Sequence, residues 1–254
     1  MSPACGGPLR EHREWLLSLV PLAEPLTLVD LGCGNGDDLS GLAARCGDSA
    51  TRLVGVDASP DAVRAARAAV DSDPRAEVVC ERLDGRLPFD DDTVDVAFSH
   101  NLIECLDDRP RFAREVARVL RRGGAVVAGH WDWDTQLFDG TDRSLMRRLM
   151  QAYADWRQDW MECADPWIGR RLFGLFESSG FFHGTVHTRT LVELTFAPGF
   201  YGYERAQDLA DLVGQGTIEA HDYEQFLSQQ RALQAEGRYV YAVTEFVYVG
   251  ERAS

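Results

Sequence analysis

The chain has 254 residues, 45% hydrophobic and 10% aromatic, enough to bury a sizeable core and too apolar for a disordered polymer. Its 41 acidic residues outnumber 26 arginines, lysine is absent, and the formal net charge is −15. Such a surface repels phosphate backbones and anionic headgroups, which argues against a nucleic-acid-binding module or a polybasic membrane binder and favours a neutral or cationic small partner.

The N-terminal segment carries charges where a secretory signal needs its apolar region, and no apolar run approaches the roughly 20 residues of a membrane span. A cytoplasmic protein is expected. Residues 11–17 read as a helix that either docks on the body of the protein or folds over a ligand as a lid. Residues 26–31 then read as a buried strand and 37–46 as a helix, followed by a strand at 53–57. A helix opens at Ser59-Pro60, a good cap followed by proline in the first helical position, and runs to residue 70. A weaker strand at 77–80 and a fourth at 94–98 precede a helix over 111–120, closed by Arg121-Arg122-Gly123-Gly124, and a fifth strand at 124–128. This alternation predicts a parallel sheet covered by helices on both faces.

After residue 130 the pattern changes. Residues 140–178 read as mostly helical, interrupted at Asp165-Pro166; 185–196 as a strand; 206–233 as polar helices broken near Gly214 and Gly216; and 238–250 as a last strand. The two late strands suggest an antiparallel edge completing the sheet. One domain is expected: an N-terminal helical lid at 1–25, a core at 26–130, helical cap insertions at 131–182 and 197–237, and C-terminal strands at 183–196 and 238–250. The six cysteines, at 5, 33, 46, 80, 105 and 163, form no C-x-x-C pair and match no zinc spacing. Reduced thiols packed as small hydrophobes are expected, with no metal site.

The informative segment is Val29-Asp30-Leu31-Gly32-Cys33-Gly34-Asn35-Gly36, a strand running through glycines into a helix. Glycines let the backbone turn sharply and a ligand approach closely, and such a strand end is the usual crevice of an open parallel sheet. A dinucleotide fingerprint would place glycine at 37, where the chain has Asp37, and Asp30 would add negative charge beside a pyrophosphate. A cationic ligand, an ammonium or sulfonium, removes that objection.

These residues resemble motif I of the class I S-adenosylmethionine-dependent methyltransferases. Asp57, closing Val54-Gly55-Val56-Asp57-Ala58-Ser59, sits where that family carries the acid that holds the ribose hydroxyls. Leu83-Asp84-Gly85-Arg86-Leu87-Pro88-Phe89 is similar to the segment whose acid accepts from the adenine amino group. The resemblance spans about residues 26–130 and implies a Rossmann-like α/β fold. Its seven-stranded sheet is mostly parallel, with the last strand antiparallel, helices on both faces and a helical cap. It implies S-adenosyl-L-methionine as cofactor, S-adenosyl-L-homocysteine as product, and contacts from Asp30, Gly32, Cys33, Gly34, Gly36, Asp57, Ala58, Asp84, Gly85, Ser99 and His100.

Acceptor sites of the family form beyond the fourth and fifth strands, which here places Ser99-His100-Asn101-Leu102-Ile103-Glu104 and His130-Trp131-Asp132-Trp133-Asp134 at the crevice. His130, His100 and Asp132 are the candidate catalytic residues, able to take a proton from an acceptor. Asn101, Trp131, Asp134, Trp156 and Tyr201 are the candidate acceptor contacts, Trp156 and Trp160 being read as one helical stripe. The alternative reading of each is plain: a satisfied polar residue at a strand end, or cap packing. His183 and His187, on the late strand, are read as structural. The expected reaction is in-line methyl transfer to a nitrogen or oxygen of a small molecule, an amine or guanidine suiting the acidic, aromatic cap better than a phenol. The rivals are a cofactor-binding protein that is a non-methylating partner or catalyses another reaction such as a cyclisation, and a nicotinamide dehydrogenase. A monomer or homodimer is expected.

Overall fold

The computed structural model describes residues 7–22, 26–46, 52–161 and 163–253; Cys5 and parts of the expected N-terminal lid, residues 1–6 and 23–25, lie outside them. Buried aliphatic runs form the first strands, β1 (Thr27–Leu31) and β2 (Arg52–Asp57), and β3 (Ala76–Cys80) and β4 (Val94–His100) follow in the same direction. α1 (Gly7–Ser18) precedes them, α2 (Asp37–Arg45) and α3 (Pro60–Val70) connect β1 to β2 and β2 to β3, and α4 (Arg109–Val119) follows β4. The N-cap of α3 is as read from the sequence: Ser59 accepts from the backbone N–H of Ala62, with Pro60 opening the helix. A seven-stranded sheet results, in the order β3-β2-β1-β4-β5-β7-β6, with β5 (Leu120–Phe138), β6 (Phe182–Glu193) and β7 (Tyr241–Arg252). Only β7 runs antiparallel to its neighbours, and it lies between β5 and β6 rather than at the edge.

Alternating side chains send two apolar layers out of the sheet. On one face, Phe112 and Val116 of α4 pack with Ile168, Leu172 and Phe176 of a cap helix. On the other, Leu16 and Leu17 of α1 pack with Leu39, Leu42, Val63 and Ala66 of α2 and α3. A third core belongs to the cap, where α5 (Arg143–Ala154), α7 (Tyr201–Gly214) and α8 (Ala220–Ala235) meet Trp131, Phe138 and Tyr241. The remaining cap helix, α6 (Ile168–Glu177), returns to the sheet.

Three readings from sequence change. The fifth strand begins at Leu120, directly after α4, and continues to Phe138; residues 131–138 therefore extend the sheet instead of opening the cap. Leu137 and Phe138 pair with Ala242 and Tyr241, so β7 supplies the hydrogen bonds that hold this extension. The helical break around Pro166 is longer than expected, because α5 already ends at Ala154 and α6 starts only at Ile168. Asp165 anchors the end of that break: it accepts from Trp167 N and pairs with Arg109 and Arg171. Finally, Cys80 is exposed on the outer strand β3, whereas Cys33 and Cys46 are buried; all five described cysteines are free thiols. Among the described residues no helix is long and apolar enough to cross a membrane, and no group of three or more His, Cys, Asp or Glu could hold a metal ion.

Candidate cofactor and acceptor site

The cleft opens where β1 and β2 end. Gly34 and Gly36 both adopt positive φ, and a Cβ at Gly36 would stand 2.8 Å from the Ala66 backbone, so the turn is clamped against α3. At Gly34 the direction a Cβ would take is open. Its N–H points the other way and donates to Asp57 Oδ2 at 2.9 Å, while Ser59 N donates to Asp57 Oδ1 at 2.9 Å. Two backbone donors thus fix the carboxylate and leave it further lone pairs for a diol. A cavity of about 310 Å³ follows, bounded by Gly32, Asp57, Ala58 and Asp84 on its polar side and by Leu83, Leu102 and Leu106 on its apolar side. Arg82 pairs with Asp84 at 2.5 Å and holds its carboxyl below the usual carboxylate range. Gly85 does not line this cavity; a Cβ there would face Arg111.

Behind the turn lies a buried charge network. His100 places Nδ1 2.7 Å from Asp38 Oδ2 and Nε2 3.1 Å from Glu245 Oε1. Burial alone would lower its pKa, but Glu245 and Asp38 overcome that and push it up to about 10. The ring is therefore a cation near neutral pH. Glu245 Oε2 also meets His12 Nε2 at 2.7 Å, and Asp38 Oδ1 meets Arg13 Nε at 2.9 Å, so α1 is fastened to the sheet at this point. Asp30, beside these groups and 1% exposed, keeps one carboxylate oxygen without a partner; burial and then the charge of Asp38 push its pKa well above normal. Ser99 is buried with its hydroxyl unpartnered, and Cys33 is buried with its thiol pushed up by desolvation.

His130 differs from His100. It is fully buried on β5, and its Nδ1–H donates to the Trp131 carbonyl at 2.8 Å, since a carbonyl can only accept. That leaves Nε2 without a hydrogen bond, 3.7 Å from Glu104 Oε1. The other Glu104 oxygen accepts from the Trp133 indole at 3.1 Å. The carboxylate facing His130 is therefore Glu104. Asp132, the acid named as a catalytic candidate, is fully buried and gripped through both oxygens by Arg170 of α6.

The segment 29–128 matches the family model described as a methyltransferase domain. Over 246 residues, 95% of this chain and 67% of the relative, it is 30% identical to an uncharacterized 37.1 kDa protein in transposon TN4556 of Streptomyces fradiae. Over 112 residues, 44% of this chain and 42% of the relative, it is 36% identical to trans-aconitate 2-methyltransferase of an Azoarcus species. The YcgJ protein of Bacillus subtilis superimposes with a TM-score of 0.62 at 14% identity, covering 96% of this chain and 99% of that one, which shows the fold. The chain belongs to the class I S-adenosylmethionine-dependent methyltransferases. Three features of this methyltransferase suit that cofactor: the open approach at Gly34, the doubly anchored Asp57, and the unpartnered Asp30 oxygen among acids that favour a cation.

The other acceptor candidates scatter. Asn101 takes a left-handed conformation and accepts from Trp131 N at 3.3 Å, tying β4 to β5. Trp131 is buried between His12 and Tyr201, with ring centroids 4.8 and 5.4 Å apart, and Arg205 lies 4.6 Å over the Tyr201 ring. Trp156 and Trp160 share no helix, because α5 ends before both; Trp156 joins the cap core and Trp160 lines the cleft beside Asp57 and Asp84. Asp134 accepts from the Trp167 indole. His183 and His187 are exposed on β6. Sequence reading placed Glu104 at the crevice without a role and missed Asp38 and Glu245. The available signal was an isolated acid in an apolar run, Leu102-Ile103-Glu104-Cys105 and Val243-Thr244-Glu245-Phe246-Val247.

Proposed function

We propose that this methyltransferase transfers a methyl group to a nitrogen or oxygen of a small-molecule acceptor, with His130 as the proton acceptor. The observation that carries the reading is the cleft at the ends of β1 and β2, where Asp57 stands anchored by two backbone N–H groups beside a buried cluster of carboxylates. Bound there, the cofactor supplies a methyl group on sulfonium, already a strong electrophile. The chain's remaining task is alignment, which supplies effective molarities of about 10⁵ M or more. Asp57 and Asp84 are placed to accept from the adenosine portion, and Asp30 to face the cationic end.

His130 Nε2 is the nitrogen free to take a proton, its ring held by the Nδ1–H bond to Trp131 O, and Glu104 is placed to stabilise the charge that follows. Such assistance is worth about 10²–10⁴-fold for a hydroxyl or protonated amine. His100 is unsuited to that role: already protonated between Asp38 and Glu245, it acts as a positioning cation. The protein is read as cytoplasmic and as a monomer or homodimer.

Calorimetric titration with S-adenosylhomocysteine tests the reading. Binding is expected in the wild type, and Asp57→Ala should weaken it by about tenfold or more, the loss of two charge-assisted hydrogen bonds. Absence of binding, or an affinity indifferent to Asp57, would overturn it.

A further inference from the structure

A second cavity, about 710 Å³ against 310 Å³ for the cofactor cleft, lies between the β5 extension and α5. The two are neighbours. Trp133 lines the larger one and bonds through its indole to Glu104, which stands between the cleft-lining Leu102 and Cys105. The segment joining α5 to α6 borders both, giving Trp160 to the cleft and Trp167 to the chamber.

The chamber wall carries charge of both signs. Arg143 and Arg147, one turn apart at the start of α5, line it, are exposed, and have no ion pair or hydrogen-bond partner among the described residues. The adjacent Arg148, by contrast, is paired with Asp222. The wall also carries two carboxylates hydrogen-bonded within it: Asp139 accepts from Gly140 N and Asp134 from the Trp167 indole. Asp155, also in the wall, caps the far end of α5, about 12 Å along the helix axis from Arg147 at 1.5 Å per residue. Met146 and Met150 line the chamber between the two ends.

We propose that this chamber holds the methyl acceptor, and that the acceptor is an elongated small molecule with an anionic tail, a carboxylate or a phosphate monoester. The inference rests on the methyltransferase reading and names its substrate class. Arg143 and Arg147 grip the tail, since guanidinium groups match the geometry of both anions. The apolar body runs along Met146 and Met150, and the accepting atom lies at the Trp133 end, toward Glu104 and His130.

The test titrates the full chain, saturated with S-adenosylhomocysteine, with 5-phenylpentanoate, 4-phenylbutyl phosphate and 4-phenylbutylamine. One or both anions are expected to bind about tenfold or more tightly than the amine, and the tighter anion identifies the tail. The double variant Arg143→Gln, Arg147→Gln should lose that preference by about tenfold while its S-adenosylhomocysteine affinity stays at the wild-type value, which also reports that it is folded. An amine that binds as well as the anions, anion binding that ignores the double variant, or no probe binding at all overturns the assignment. Binding of the product nucleoside without anion preference defeats the chamber alone, whereas failure of that nucleoside to bind the wild type defeats the methyltransferase reading with it.

Discussion

At the scale of single residues, two histidines on neighbouring strands have different hydrogen-bond partners. His100 has carboxylates at both ring nitrogens and is a fixed cation; His130 has a carbonyl at one nitrogen and nothing hydrogen-bonded at the other. Replacing His130 with Ala should cut methyl turnover by about tenfold or more while leaving S-adenosylhomocysteine affinity unchanged, and steady-state kinetics beside calorimetry separate the two effects. Equal turnover in the variant would remove His130 from proton transfer. The glycine turn and the acid after β2 were the legible parts, because their demands are local: positive φ selects glycine at 34 and 36, and Asp57 closes a strand. Glu245 was not legible, because its partners His12 and His100 lie far away in the chain and no spacing rule links them.

Among the elements, β5 and α6 depend on each other. Gly169 brings α6 so close that a Cβ would stand 2.9 Å from the His130 carbonyl, and Arg170 closes on the fully buried Asp132 beside it. Arg170→Met should cost about 3–5 kcal/mol by stranding that carboxylate, read as a lower urea midpoint with S-adenosylhomocysteine affinity intact. A stable variant with weakened cofactor binding would instead place Asp132 in the active site. The core strands were readable to within a few residues, since apolar runs bounded by glycine and proline punctuate them. The β5 extension was not. Trp131-Asp132-Trp133-Asp134 carries an acid, Asp132, whose burial makes sense only once Arg170 and β7 are in place.

For the whole molecule, the network through Asp38, His100, Glu245 and His12 joins α1, α2, β4 and β7 at one point. Its dependence on pH has a definite sign. His100, raised to about 10 when folded, contributes fully below its unfolded value near ~6.5 and loses that contribution as pH climbs through about 10. Asp38 and Glu245 are raised by burial but lowered overall by His100, with Arg13 beside Asp38 and His12 beside Glu245; they contribute above their unfolded values near ~4 and lose this as pH falls through the folded ones. Denaturant stability should therefore decline from pH 7 to about 10, and His100→Gln should flatten that decline. An alkaline slope identical in both proteins would show that His100 is not its source.

The position of β7 has one more consequence. It follows β6 in chain order yet lies between β6 and β5, and the pairing of β6 within the sheet is with β7. During vectorial synthesis the ribosome releases β6 with no partner, its neighbouring Leu194 67% exposed even in the finished fold. Until the twelve residues of β7 emerge and slide between them, a sticky ribbon waits in the open, which makes this interval the moment of greatest hazard for self-association.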